Sequence, residues 1–386
     1  MAVRITEIGR VLVLDSTLRE GEQFAQAHFT QPDRVRLALA LDAFGVDELE
    51  LPSPAVSPAV AAEVAEISQL GLRAQVRCHV RCHPADIEAA LAVGANELNL
   101  FMGTSPALVS DSLHQPWPQL ARRIRDAVEL AVSGGGLVRF SAEDAFRTSR
   151  QRLFAAFDEA VAAGARRLGV PDTVGVATPE MVAATVRAVR RRYPGIGQEF
   201  HGHNDTGCAV ANAIAALQAG AECLDVTVLG IGERVGITSL GALMARLYTL
   251  APELVARFHL DLLPDLDAAV ARLSGMAIPF NQPLTAAHAF THVAGVHTNA
   301  VLRSPATYEA IDPAVVGRSR VLSVASRLVG RHAVADFGAT LMGRALDGQE
   351  VAIATLALKG AAEERRMDEA SAAGVVRAAL AGGGRE

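Results

Sequence analysis

The sequence predicts an α/β fold, a (β/α)8 TIM barrel with an appended, mostly helical C-terminal region. Three observations support this prediction. Short β-rich runs alternate with longer Ala-rich stretches between residues 11 and 250, the alternation repeats eight times, and the turn after the first strand contains no glycine before Gly21. Eight β/α units close a barrel, whereas an open doubly wound sheet usually has fewer strands and a glycine-rich first turn.

The predicted strands are short and mostly apolar, which is typical of strands buried on both faces of a parallel sheet. In chain order they are Val11–Leu14, Glu48–Leu51, Ala74–Val80, Glu97–Met102, Leu137–Ser141, Arg167–Val170, Gln198–His201 and Cys223–Leu229.

The predicted helices have apolar residues at helical spacing. Several begin with Pro or a capping Ser, Thr or Asp and end at a glycine, which are the usual signals for helix starts and ends. In chain order they are Gln31–Phe44, Ala55–Leu70, Pro84–Val93, Pro118–Val132, Ser149–Ala163, Pro179–Arg192, Thr206–Ala219 and Thr238–Leu250.

The alternation stops after residue 250, where prolines become frequent, and a helical pattern returns from about Val321. We therefore predict three regions. The catalytic barrel covers residues 1–250, a linker or lid subdomain covers 251–320, and a C-terminal helical region covers 321–386.

The composition limits the function classes. The chain has 386 residues, a formal charge of −6, four cysteines and one Trp. Nucleic-acid binders normally carry a basic excess, and four cysteines are too few for a disulfide scaffold. The first ten residues lack the apolar core of a signal peptide, and no apolar run approaches the roughly 18 residues of a membrane helix. We expect a cytoplasmic enzyme or small-molecule binder with no nucleic-acid or membrane partner.

His201-Gly202-His203 is the sharpest local signal. Residues two apart on a strand point to the same side, so two imidazoles face one way, with a glycine between them to let a ligand approach. An acidic residue after strand 1, Glu20 or Asp15, would complete a site of three ligands for Zn, Mn, Mg or Co, because mixed N/O ligation does not choose among these ions. The alternative is a pair of ordinary hydrogen-bonded histidines.

Arginine is the second signal. Arg19 and Arg139 lie at strand ends, with His79 and Arg77 or Arg81 nearby, and guanidinium groups bind carboxylates through paired hydrogen bonds. This indicates a substrate with more than one acidic group. The alternative is that the arginines pair with acidic residues of the rim. Gly230 and Gly232 after strand 8 could present backbone N–H groups to a phosphate or to the CoA pyrophosphate, or could simply form a tight turn.

Three motifs resemble the homocitrate synthase and isopropylmalate synthase group of barrel enzymes. They are LDSTLREGEQ at 14–23, HGHNDTG at 201–207 and GIGER at 230–234. Three more segments resemble the homocitrate synthase branch in particular, namely 139–144, 172–179 and 325–333. The motifs are long and occur in the family's order, and the resemblance covers about residues 11–335.

The resemblance implies a reaction and a site. The family condenses acetyl-CoA with a 2-oxo acid and releases CoA. By resemblance, the divalent metal ligands are Glu20, His201 and His203, and Arg19 polarises the ketone of the substrate. The other implied substrate contacts are Gln23, His79, Asn99, Arg139, Ser141 and Thr173. The implied acid–base group consists of Glu143, His297 and Tyr308, and the residues implied near CoA are Gly230, Gly232, Glu233 and Arg234. The C-terminal region of the family reaches over a partner's barrel, so a homodimer is implied.

Some positions depart from the homocitrate synthase pattern. Asn99 stands where that branch carries Asp, Pro171 where a small residue is usual, Val235 where Asn is usual, and Val293 where Lys is usual. The change at position 99 removes a negative charge from the pocket and would favour a more anionic oxo acid. Neutral drift within the family is the alternative.

We therefore expect a metal-dependent acyltransferase that condenses acetyl-CoA with a 2-oxo dicarboxylic acid, with 2-oxoglutarate and (R)-homocitrate as substrate and product. One alternative keeps the reaction but uses phosphonopyruvate, giving a phosphonomethylmalate-type product, or an isopropylmalate- or citramalate-type substrate. Two different classes of function also fit the barrel, namely a retro-aldol lyase and a non-catalytic binding protein.

Overall fold

Eight parallel strands close into a barrel in the order β1 to β8, with β1 paired to β8. The computed structural model describes residues 10–382. Each strand pairs with the next along the chain, as the prediction of a TIM barrel requires, and that prediction is confirmed. The strands are β1 Leu12–Asp15, β2 Glu48–Leu51, β3 Gln75–Arg81, β4 Glu97–Gly103, β5 Leu137–Glu143, β6 Arg167–Asp172, β7 Gly197–Gly202 and β8 Cys223–Val226.

A helix follows each strand and packs its apolar side on the barrel. Capping side chains set several helix starts. For example, the Ser149 hydroxyl accepts a hydrogen bond from Arg152 N, and Thr178 caps the next helix through Met181 N. The helices are α1 Gln31–Phe44, α2 Pro58–Ser68, α3 Pro84–Ala92, α4 Trp117–Ser133, α5 Arg150–Ala162, α6 Pro179–Arg192, α7 Ala209–Ala219 and α8 Leu240–Leu250.

Three elements differ by three residues or more from the sequence-based predictions. The predicted helix Ala55–Leu70 is a 3-10 turn followed by α2, because Ser57 is extended and caps α2 through Val60 N. Helix α7 begins at Ala209 rather than Thr206, since the Asn204 side chain accepts a hydrogen bond from Ala209 N. Strand β8 stops at Val226, three residues early, because a 3-10 turn over Val228–Gly230 follows it.

The interior of the barrel carries an ion-pair cluster at its amino end. The carboxylate of Glu48 on β2 contacts the guanidinium of Arg77 on β3 at 2.5 Å and that of Arg167 on β6 at 2.7 Å. Arg77 therefore lies with this cluster and not with the predicted substrate group. Arg81, at the other end of β3, pairs with Asp86 at 2.7 Å and is mostly exposed.

The chain forms two compact units, Met1–Thr285 and Ala286–Glu386. The first contains the barrel and α9 Leu263–Leu273. The second contains a two-stranded parallel sheet and helices that pack around Val334, Leu358 and Val376. The predicted three-way division at residues 250 and 320 stays a prediction. The elements of the second unit are β9 Thr291–His292, α10 Gly295–Arg303, β10 Val321–Leu322, α11 Arg331–Met342, α12 Gly348–Glu364 and α13 Glu369–Gly382.

Within residues 10–382, no helix has both the length and the apolar character needed to cross a membrane.

Candidate active site

A cavity of about 330 Å³ opens at the carboxyl ends of the strands, where TIM barrels carry their active sites. Both acidic and basic side chains line it. The lining residues are Arg19, Glu20, Gln23, His79, Phe101, Arg139, Ser141, Glu143, Pro171, Thr173, His201, His203, Glu233 and Arg234. Most of the predicted site residues from the barrel are therefore brought to one cavity.

Glu20, His201 and His203 converge on one point. One ligand atom from each lies within 4.8 Å of the other two, and all three residues are buried. Nε2 of His203 is 3.9 Å from Oε1 of Glu20, which is too far for a hydrogen bond and close enough for both atoms to bind one ion. The residues present thus fit a divalent cation with two imidazole ligands and one carboxylate ligand. Asp15, the alternative carboxylate, is not part of this group of described residues.

His201 is oriented from behind by Asp225 at the end of β8. Its Nδ1 lies 2.6 Å from Oδ2 of Asp225, whose other oxygen accepts a hydrogen bond from the Ser16 hydroxyl at 2.6 Å. Burial lowers the pKa of His201, but the neighbouring Asp225 outweighs burial and raises it. The contact with Asp225 commits Nδ1 and leaves Nε2 for a cation, which is the usual arrangement behind a metal-binding histidine.

The glycine between the histidines has a different role from the one predicted. A Cβ atom on Gly202 would come within 2.7 Å of the Phe200 ring, so the missing side chain makes room for that ring. Successive strand residues point to opposite faces, and Gly202 therefore faces away from the ligand side. The expectation that it lets a ligand approach is wrong.

Glu20 is held from two sides. Its Oε1 accepts a hydrogen bond from Glu233 N at 2.9 Å, and its Oε2 contacts the guanidinium of Arg19. Burial raises the pKa of Glu20, but Arg19 and the two imidazoles outweigh it and lower the pKa to about 2. A Cβ on Gly232 would lie 2.9 Å from Oε1, so the GIGER loop fits closely over the carboxylate. The glutamate is therefore ionised and fixed in position before a cation binds.

Arg19 is also anchored by Glu50 on β2, a residue that sequence reasoning missed. Nε of Arg19 donates to Oε2 of Glu50 at 2.6 Å. The fully buried Glu50 further lies 3.5 Å from Nδ1 of His79 and 3.8 Å from Arg139, and it accepts a hydrogen bond from Asn99. Burial raises the pKa of Glu50, but the neighbouring Arg19, His79 and Arg139 outweigh burial and lower the pKa well below its ordinary value. One carboxylate thus contacts four of the predicted substrate-binding side chains, Arg19, His79, Asn99 and Arg139.

Arg139 lies 3.8 Å from Glu50 of this network and also lines the cavity. It is 3% exposed and pairs with Glu199, yet its Nε has no hydrogen-bond partner among the described residues. A Cβ on Gly169 would collide with the Ser141 hydroxyl and come within 3.0 Å of Nε of Arg139. The glycine on β6 therefore leaves room for both groups. A buried guanidinium with a free donor at a cavity wall is a strong position for binding an acidic group.

His79 and Asn99 differ in how they meet the cavity. His79 lines it, and burial together with the charge of Arg19 lowers the pKa of its imidazole. Asn99 is fully buried and absent from the described lining, with its amide donating to Glu50. The expected contact of Asn99 with substrate stays a prediction.

Glu143 and Thr173 complete the far side of the cavity. Burial and the adjacent carboxylate of Asp144 raise the pKa of Glu143. The Thr173 hydroxyl accepts a hydrogen bond from Asp144 N at 2.9 Å, which joins the ends of β5 and β6. Gln23, on the loop after β1, lies exposed at the mouth.

The GIGER loop contributes Glu233 and Arg234 to the described lining, but not Gly230 or Gly232. Arg234 pairs with Asp205 at 2.7 Å and donates to the Thr173 carbonyl at 2.9 Å. The loop therefore closes on Glu20 and on the loop after β6. Its predicted contact with CoA stays a prediction.

His297 and Tyr308 belong to the second unit. Their rings lie together, with centroids 4.2 Å apart and planes tilted by 36°. Tyr308 is about half exposed. The two residues therefore form a pair, and their part in the acid–base group remains a prediction.

Comparison with known proteins matches almost the whole chain. The family described as HMGL-like matches residues 10–270, and the domain described as homocitrate synthase post-HMGL domain-like matches residues 284–366. The mitochondrial homocitrate synthase of Penicillium rubens is 41% identical over 86% of this chain and 70% of its own length. The cytosolic homocitrate synthase isozyme of Saccharomyces cerevisiae is 41% identical over 86% of this chain and 77% of its own.

More distant proteins match with other names. A probable 2-isopropylmalate synthase of Methanopyrus kandleri is 38% identical over 84% of this chain and 64% of its own length. Among solved structures, the HMG-CoA lyase of Bacillus subtilis has a TM-score of 0.63 at 19% identity, covering 70% of this chain and 95% of that one. The structural likeness supports the barrel fold.

Proposed function

The chain belongs to the homocitrate synthase branch of the HMGL-like family, and from that premise we propose that it condenses acetyl-CoA with 2-oxoglutarate to give (R)-homocitrate and CoA. The homocitrate synthases that it resembles are acyltransferases. The coarser statement, condensation of acetyl-CoA with a 2-oxo acid, rests on the homologues at about 40% identity. The choice of 2-oxoglutarate is the finer part of the proposal.

One observation carries the choice of a dicarboxylic acid. The cavity that holds the Glu20, His201 and His203 group also holds the buried Arg139, whose Nε is free of hydrogen bonds to the described residues. A substrate that binds a cation through its 2-oxo acid end and Arg139 through a second carboxylate satisfies both. Leaving such a donor buried without a partner costs free energy, so a monocarboxylic acid would bind less well.

When bound, the divalent cation supplies a positive centre for the ketone and C1 carboxylate of the oxo acid. Arg19 donates to the ketone oxygen as that oxygen gains negative charge during C–C bond formation. Glu143 takes the proton from the acetyl methyl group, which then attacks C2 of the oxo acid. Water hydrolyses the thioester and CoA leaves as a thiol. By resemblance, His297 and Tyr308 assist in proton transfer.

A panel of oxo acids tests the substrate. With acetyl-CoA and a divalent cation present, we expect 2-oxoglutarate to give the highest kcat/KM, measured by release of free thiol. The panel includes phosphonopyruvate, pyruvate and 2-oxoisovalerate. Turnover of one of these acids without turnover of 2-oxoglutarate would contradict the substrate assignment. Cleavage of a hydroxyacyl-CoA with no condensation would instead support the lyase.

The raised pKa of Glu143 predicts a pH effect. A base works only when deprotonated, so kcat/KM should fall as the pH drops through the raised pKa of this carboxyl, at a higher pH than for an ordinary glutamate. Asp144→Asn should move this fall in kcat/KM to lower pH, because the substitution removes the negative charge that helps to raise the pKa of Glu143. Asn is a fitting replacement, since Asp144 has a φ of 63° and Asn tolerates left-handed backbone. If the pH dependence of kcat/KM is the same in Asp144→Asn as in the wild type, Glu143 is not the base.

The proposal also includes a homodimer, a divalent cation and a cytoplasmic location. The resemblance supports the dimer, and the absence of a membrane-crossing helix among the described residues is compatible with the location. Size-exclusion chromatography with light scattering tests the dimer.

A further inference from the structure

A second cavity adjoins the first at the carboxyl ends of β1 to β4. It measures about 590 Å³, and its own lining comes mainly from the β2–α2 loop and the region of β3 and α3. Four residues line both cavities, namely Arg19, Gln23, His79 and Phe101. The substrate cavity and this side cavity are therefore separated by a wall that these side chains form.

The central part of the wall is a pair of stacked rings. The rings of His79 on β3 and Phe101 on β4 have centroids 4.4 Å apart and planes only 15° from parallel. His79 pairs in register with Asn99, so Phe101 lies two residues further toward the carboxyl end of β4 and its ring covers the imidazole. An offset stack of this kind favours one mutual arrangement of the two rings.

The imidazole of the ring pair also lies close to a buried carboxylate. Nδ1 of His79 is 3.5 Å from the buried carboxylate of Glu50, which Arg19 and Asn99 also hold. A rotation of the imidazole out of the wall would break this contact and the stack together. The wall therefore joins the ring pair to the same buried carboxylate that holds Arg19.

The ring pair stands beside the groups that would hold the far end of the substrate. Phe101 pairs in register with Ser141 on β5, and Asn99 pairs with Arg139, so the ring borders the Ser141 and Arg139 wall directly. An oxo acid with its C1 end at the Glu20, His201 and His203 group and its second carboxylate at Arg139 would lie beside the Phe101 ring, which also lines the side cavity. A longer chain would need the volume of the side cavity, which the ring pair closes.

We propose that the stacked rings of His79 and Phe101 set the maximum chain length of the 2-oxo dicarboxylic acid that this enzyme accepts. This inference rests on the proposed function. Phe101 is the specificity-determining residue, because its removal joins the two cavities while leaving the cation ligands, Arg19 and Arg139 in place. No local pattern in the sequence indicates this role, because Leu98, Leu100 and Met102 on the same strand are also large and apolar.

The test compares Phe101→Ala with the wild type on 2-oxoglutarate, 2-oxoadipate and 2-oxopimelate. We expect the ratio of kcat/KM for 2-oxoadipate over that for 2-oxoglutarate to rise by about 10- to 100-fold, the range for one methylene in an apolar pocket. Calorimetric titration of the cation-loaded protein with each acid, without acetyl-CoA, should show the same shift in dissociation constants. Met102→Ala is the matched control, because Met102 is the next residue on β4, is buried and points to the other face.

The outcomes separate the inference from the proposed function. Wild-type protein that releases no thiol with any 2-oxo dicarboxylic acid would overturn the proposed function, and the titration would still measure the length preference. An unchanged ratio and unchanged relative affinities in folded Phe101→Ala, or an equal shift in Met102→Ala, would overturn the ring-pair inference alone. If Phe101→Ala does not fold, Phe101→Val takes its place and should give a shift in the same direction.

Discussion

Glu20→Gln is expected to lose both the bound cation and turnover. The substitution keeps the shape of the side chain and removes the charge that the group of Glu20, His201 and His203 offers to a divalent ion. Bound metal, measured by inductively coupled plasma mass spectrometry, should fall from about one ion per chain to near zero. The value of kcat should fall by a factor on the order of 10³ or more, because the oxo acid loses the charge that holds and polarises it.

His203→Ala should behave in the same way, and EDTA should reproduce both losses reversibly in the wild type. Glu22→Gln is the matched control, because Glu22 lies on the same loop but pairs with Arg34 at 2.5 Å instead of facing the histidines. It should keep its cation and its activity. A Glu20→Gln protein with a full complement of metal and near-normal kcat would remove Glu20 from the site.

Arg19→Lys is expected to lower kcat by about 10²- to 10³-fold while the cation stays bound. The guanidinium of Arg19 contacts Glu20 and Glu50 together and lies 3.9 Å from Asp225, so its planar shape holds it over the site. An ammonium group is a single point charge and cannot keep these contacts while it also donates to the ketone oxygen. Steady-state kinetics and metal analysis on the same preparations check both parts.

Retention of metal distinguishes this prediction from the first. Arg81→Lys serves as the control, because Arg81 also forms an ion pair at a strand end, with Asp86 at 2.7 Å, and is largely exposed. Its kinetics should stay close to those of the wild type. Near-normal kcat in Arg19→Lys would contradict a direct role of the guanidinium in the reaction.

The barrel and the convergence of Glu20, His201 and His203 were predictable because their signals are local. Strand and helix periods repeat along the chain, and parallel strands in a barrel bring their carboxyl ends to one rim. Two histidines two residues apart at the end of an extended segment are expected to face one side, so only the acidic partner needed to be found. The choice between Glu20 and Asp15 could not be made from spacing, since both follow the first strand closely.

The residues that sequence reasoning missed act across the barrel. Glu48 and Glu50 alternate with Leu49 and Leu51 on β2, and acidic residues at alternate positions of a buried strand were the signal that could have identified Glu50. Asp225 had a similar signal, because it is an acidic residue between the apolar Leu224 and Val226 on β8. Phe101 had none, because an aromatic residue in a buried strand is ordinary.

The sequence by itself determined the order of elements, the barrel and the types of residue at its rim, because these depend on neighbours a few positions apart. The tertiary structure alone decided which rim residues meet. It joined Glu50 to Arg19, His79 and Arg139, left Nε of Arg139 without a hydrogen-bond partner among the described residues, and stacked Phe101 on His79. These contacts depend on the closure and stagger of the strands, which bring distant segments of the chain together and which no local pattern specifies.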